Sequence, residues 1–132
     1  MTNDGLAGRR ILVVEDETLL AMTIEDVLQE LGCVVVGPVA KLDAALRLAR
    51  DEALDAAILD VTVRGGHVYP VAEQLLARGV PFVLASGYGD WALPGNLQDL
   101  PRLTKPFTQT ELEDQVRSLV SGAAGRARAS PA

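Results

Sequence analysis

Five polar positions stand at the ends of short apolar runs, and they matter chemically only if the fold gathers them. Glu15 and Asp16 follow Ile11-Leu12-Val13-Val14, and Asp60 follows Ala56-Ala57-Ile58-Leu59. Ser86 follows the run 81–85, and Lys105, with Pro106 behind it, follows a short stretch around Leu103. Singly, each has an ordinary explanation. An acidic pair after a strand is commonly a solvated turn or a helix N-cap, and a Lys-Pro step is commonly a loop. Together they do more. Three carboxylates packed side by side repel one another, which favours a bound proton or a bound cation. Hard oxygen ligands with room for water suit Mg²⁺.

The elements that must position these residues can be read from periodicity. The run 11–14 is continuously apolar, as suits a parallel strand buried on both faces. Over 18–31, Leu19, Leu20, Met22, Ile24, Val27, Leu28 and Leu31 recur at helical spacing, and Gly32 caps the segment. Val34-Val35-Val36 predicts a second strand stopped by Gly37-Pro38, followed by an amphipathic helix over 42–53. A third strand runs into Asp60, and a Gly65-Gly66 loop leads to a helix over 69–77 with Pro70 in its first turn and Gly79 behind it. The run 81–85 predicts the fourth strand. The fifth lies around Leu103, and the last helix spans 108–120, where Thr108-Gln109-Thr110-Glu111 matches a capping box. Between them, Pro94 and Gly95 interrupt the fourth helix, which is expected to be short or distorted.

Five strand–helix alternations are the mark of an α/β fold, a parallel sheet with helices on both faces. In such sheets ligands collect beyond the carboxyl ends of the strands, where the five polar positions fall. Residues 1–8 are expected to be a flexible N-terminus, 9–121 the domain, and 122–132 a disordered tail.

Composition narrows the functional classes. The chain has 132 residues, enough for one domain with a core. Hydrophobic residues make up 48 % but aromatics only 4 %, so the core must be aliphatic. The net charge of −6, with no face that collects Lys and Arg, disfavours direct nucleic-acid binding. One cysteine, Cys33, can form neither an internal disulfide nor a cysteine cluster. No apolar run reaches membrane-spanning length and no signal pattern opens the chain, so a soluble, cytoplasmic protein is expected.

Val13-Val14-Glu15-Asp16-Glu17, Ile58-Leu59-Asp60 with Gly65 five residues later, Ala85-Ser86-Gly87 and Thr104-Lys105-Pro106-Phe107 resemble the response-regulator receiver domain over about residues 9–121. The resemblance implies a flavodoxin-like, doubly wound sheet of five parallel strands in the order 2-1-3-4-5. It implies Mg²⁺ held by Asp16, Asp60 and the backbone carbonyl of Thr62, with Glu15 acting through water. Asp60 is then the phosphoacceptor, Lys105 pairs with the new charge, and the Ser86 hydroxyl bonds a phosphoryl oxygen. Movement of Ser86 and Lys105 toward that group would switch a partner surface.

Two departures stand out. Three positions before the lysine, where receivers commonly carry an aromatic switch residue, this chain has Arg102; Tyr88 is the candidate stand-in, against the alternative that it merely packs or lies exposed. After Asp60 the chain reads Val61-Thr62-Val63-Arg64, with Arg64 where many receivers have proline. Leu84-Ala85-Ser86-Gly87-Tyr88-Gly89 loosely resembles the Phe-Ala-Thr-Gly motif of a bacterial single-domain subgroup linked to stress signalling. His67, nearby, is read as a solvated loop residue.

The resemblance implies a phosphoacceptor in a two-component relay rather than a turnover enzyme. Its expected partners are a sensor histidine kinase or histidine phosphotransfer protein, and a downstream protein on the face of the fourth helix, fifth strand and fifth helix. The expected assembly state is a monomer or weak dimer. Three rivals are a phosphate sink in a relay, a degenerate receiver that binds without phosphate, and an aspartate-nucleophile phosphatase. The phosphatase needs a second Asp two residues after the nucleophile, where Asp16 and Asp60 are followed by Thr18 and Thr62.

Overall fold

Continuous apolar runs bury both faces of a strand, and the observed sheet uses them so. The computed structural model describes residues 5–87 and 101–129, with backbone alone over 122–129. Its elements are β1 (Arg10–Val14), α1 (Thr18–Glu30), β2 (Val34–Val39), α2 (Leu42–Asp51), β3 (Ala56–Asp60), β4 (Thr62–Val63), β5 (Gly66–His67), α3 (Tyr69–Arg78), β6 (Phe82–Ser86), β7 (Arg102–Thr104) and α4 (Gln109–Ala129). Five strands form a parallel sheet in the order β2-β1-β3-β6-β7. This is the doubly wound order expected, once the small antiparallel hairpin β4–β5 is set aside.

Alternate residues of each central strand feed two separate cores. Leu12, Val14, Ala57, Leu59, Phe82 and Leu84 pack with Ala45 and Ala49 of α2 and Val71, Ala72 and Leu75 of α3. Ile11, Val13, Ala56, Ile58, Val83 and Ala85 pack with Ile24, Val27 and Leu28 of α1 and Leu112, Val116 and Leu119 of α4. Each fully buried Val, Leu or Ile contributes about 1.5–3 kcal/mol, so either face anchors the strand ends firmly. Cys33 is buried in the second core.

Local signals worked at several ends. At the start of α4 the capping box is closed: the Glu111 N–H donates to Thr108 Oγ1 at 3.0 Å, and the Thr108 N–H donates to Glu111 Oε1 at 2.8 Å. Pro70 lies in the first turn of α3, and Gly79 ends that helix.

Three expectations need correction. Gly37-Pro38 does not stop β2, which continues to Val39 through a register shift opposite β1. Proline is tolerated because β2 is an edge strand with a bulge. Gly37 has φ +100°, and a Cβ there would stand 2.9 Å from the Val13 carbonyl oxygen. The apolar positions Leu19 and Met22 face solvent, 75 % and 54 % exposed, while Ala21 joins the buried side of α1. Finally, α4 passes Val120 and runs to Ala129; the alanines of 123–129 carry helix propensity that a tail reading discounts. The interrupted fourth helix falls outside the described residues, as do Tyr88 and Trp91.

Candidate functional site

Four strand ends meet at the carboxyl edge of the sheet. Val14 and Leu59 are register partners, so Glu15 and Asp60 emerge side by side from β1 and β3. Asp60 itself pairs with Ala85, which puts Ser86 one residue beyond it on β6. Ser86 pairs with Thr104, and its carbonyl accepts the Lys105 N–H at 2.9 Å. Residues distant in sequence are thus locked together by backbone register.

Carboxylate oxygens of Glu15, Asp16 and Asp60 lie within 4.8 Å of one another. Glu15 and Asp60 are buried. Lys105 Nζ donates to Glu15 Oε1 at 2.9 Å and stands 3.2 Å from Asp60 Oδ2. The second Glu15 oxygen accepts the Glu17 N–H at 3.0 Å, which ties the carboxylate to the first residues before α1. Asp60 Oδ1 lies 3.4 Å from the Thr62 N–H, a long contact that draws the β4–β5 hairpin toward the site.

The charges do not balance. Burial, then the hydrogen-bonding and charge of Glu15, push the Asp60 carboxyl up to about 7, against the pull of Lys105. Burial works against the Lys105 ammonium, but Glu15 and Asp60 outweigh it and raise its pKa. One ammonium therefore contacts two of the three clustered acids, and the oxygen-only donor set with its surplus negative charge fits a hard divalent cation such as Mg²⁺. Ser86 supplies an independent feature: its Oγ is buried and has no hydrogen-bond partner among the described residues. An unpaired buried hydroxyl is costly, which makes it a ready donor to an incoming oxyanion.

The predicted residues Glu15, Asp16, Asp60, Thr62, Ser86 and Lys105 all belong to this edge; Tyr88 lies outside the described residues. Arg102, at the position of the absent aromatic, is half-buried in β7. His67 is exposed and stacks on Tyr69, with ring centroids 5.1 Å apart. Sequence reasoning did not anticipate the β4–β5 hairpin, nor that Arg64 at its turn lines a cleft with Glu15 and Asp16. The only signal was that Arg64 replaces a common proline.

Comparison with known proteins places this geometry. SdrG of Sphingomonas melonis Fr1 is 42 % identical and superposes with a TM-score of 0.73, covering 91 % of this chain and 98 % of SdrG. The receiver domain of the sensor histidine kinase PA1611 of Pseudomonas aeruginosa is 28 % identical with a TM-score of 0.74, covering 87 % of this chain and 99 % of that domain. That structure holds a magnesium ion in its active-site cleft. The chain belongs to the response-regulator receiver family. Its likeness to SdrG is consistent with the single-domain stress-signalling subgroup. Among curated proteins it is 27 % identical over 122 residues to the transcriptional regulatory protein PdtaR of Mycobacterium tuberculosis, a match that covers 89 % of the chain. The chain thus spans only 60 % of PdtaR's length. No family model matches the chain. Among the described residues, no helix is long and apolar enough to cross a membrane.

Proposed function

We propose that the chain is a phosphoacceptor: Asp60 takes a phosphoryl group from a phosphohistidine on a kinase or phosphotransfer protein. An Asp60 oxygen attacks phosphorus and the P–O bond forms as the P–N bond to the donor imidazole breaks; the imidazole leaves neutral, needing no general acid if it is protonated on its other nitrogen. Asp16, Asp60 and the Thr62 carbonyl would hold Mg²⁺, with Glu15 behind them. When bound, the ion offsets the repulsion between an anionic phosphoryl group and an anionic carboxylate. Lys105 then exchanges its contact with Asp60 for the phosphoryl charge, and the Ser86 hydroxyl gains the acceptor it lacks.

The observation that carries this reading is the juxtaposition of a largely buried, cation-poor carboxylate cluster with a buried hydroxyl that has no partner among the described residues. Because Lys105 and Ser86 are joined by a backbone hydrogen bond, their movement is shared, and it is passed to the chain that follows β6 and β7. That coupled shift is the switch, and its output is contact with a downstream protein near β7 and α4. The protein acts stoichiometrically, as a signalling module of the cytoplasm.

Intact-mass spectrometry after incubation with acetyl phosphate tests the reading. One phosphoryl addition is expected, dependent on Mg²⁺ and absent from Asp60→Asn. No addition, with a phosphohistidine donor as well, overturns it.

A further inference from the structure

We infer that Arg64 is a specificity-determining contact for the phosphoryl donor, an inference that rests on the phosphoacceptor reading above. Arg64 sits at the turn of the β4–β5 hairpin, and its backbone is held on both sides. Its N–H donates to the Ala40 carbonyl at 3.2 Å, and its carbonyl accepts the Leu42 N–H at 2.8 Å. A parallel bridge to Lys41 completes the clamp, and Gly65, at φ +102°, lets the turn pass close to Leu42. The side chain therefore starts from a fixed point. It lines a cleft of about 280 Å³ together with Glu15, Asp16, Met22, Glu25 and Pro38.

Three acids share that cleft, yet among the described residues none lies within ion-pair distance of Arg64. Lys105 is committed to Glu15 and Asp60. Among the described residues lining this acidic cleft, Arg64 is thus the cation that no carboxylate holds. A phosphoryl donor is itself anionic and must approach through a negative field. A guanidinium can take two phosphoryl oxygens at once and offset that repulsion as the donor arrives. The contact forms before transfer and persists through it, so it acts on donor capture and exchanges no proton.

The test compares phosphorylation of the wild type, Arg64→Ala and Arg64→Lys at saturating Mg²⁺, using acetyl phosphate and the less negatively charged phosphoramidate. In Arg64→Ala the rate at low acetyl phosphate should fall about fivefold to tenfold, with half-saturation raised and the plateau unchanged. The loss should shrink with added salt, be smaller with phosphoramidate, and be partly restored by Arg64→Lys. Mg²⁺ affinity, measured by calorimetry, should not weaken. An unchanged rate, an equal loss with both donors at every salt concentration, or a parallel loss of Mg²⁺ affinity overturns the inference. If the wild type itself is not labelled, the phosphoacceptor reading fails and takes this inference with it; a labelled wild type matched by Arg64→Ala removes only the role of Arg64.

Discussion

Lys105 reaches across 90 residues of sequence to donate a 2.9 Å hydrogen bond to Glu15, a carboxylate with almost no solvent contact. The same ammonium stands 3.2 Å from Asp60. Lys105 is therefore the counter-ion that the folded sheet supplies to both buried carboxylates.

Lys105→Ala should lower stability by about 2–3 kcal/mol, because it leaves Glu15 buried without its cation. Urea unfolding checks the magnitude. The variant should still accept a phosphoryl group at Asp60 but show no phosphorylation-dependent change near α4. Wild-type chemical-shift changes in the phosphorylated variant would count against the coupling.

Asp60→Asn should stabilise the metal-free protein at pH 8 by about 1–2 kcal/mol, a value discounted for local relaxation. The sign follows from a folded pKa raised from 3.8 to about 7. Between those values the folded protein holds a proton that the unfolded chain has lost, so wild-type stability falls as pH rises through the window. Above about 7 the full cost of the buried charge is present, and asparagine removes it. The advantage of the variant should shrink as pH falls below about 7 and vanish near 3.8. A pH-independent difference in urea midpoints would refute the assignment.

Mg²⁺ should raise the melting temperature of the wild type and bind more weakly at pH 6 than at pH 8, because the proton on Asp60 competes with it. Asp16→Asn should lose most of this stabilisation, with little change in metal-free stability since Asp16 is partly exposed. Differential scanning fluorimetry across a Mg²⁺ series reads both effects.

Ser86→Ala should leave the unphosphorylated protein unchanged or up to about 1 kcal/mol more stable, since the hydroxyl it removes has no partner among the described residues. The cost should appear only after phosphorylation, as a smaller structural response on β7 and α4. Paired measurements of unfolding and amide chemical shifts separate the two. A variant destabilised before phosphorylation would show that the hydroxyl is already bonded.

Much of the molecule was legible one segment at a time. The continuous runs at 11–14, 56–59 and 81–85, with helical repeats between them, set the α/β class, because burial on one or two faces imposes its own period. Thr108 and Glu111 closed their capping box because that interaction needs no distant partner. The ordered acids, Ser86 and Lys105 marked the site through family resemblance. What required tertiary structure was everything carried by register and packing. The Val14–Leu59 and Asp60–Ala85 pairings brought the carboxylates together. Edge position and a bulge let β2 run through Gly37-Pro38, and among the described residues no element covers Leu19 and Met22. Long-range packing also committed Lys105 to Glu15, left Ser86 Oγ without a partner among the described residues, and placed Arg64 at the lining of the acidic cleft. Side-chain type and spacing act along the chain; charge neutralisation and hydrogen-bond satisfaction depend on neighbours in space, which only the folded sheet supplies.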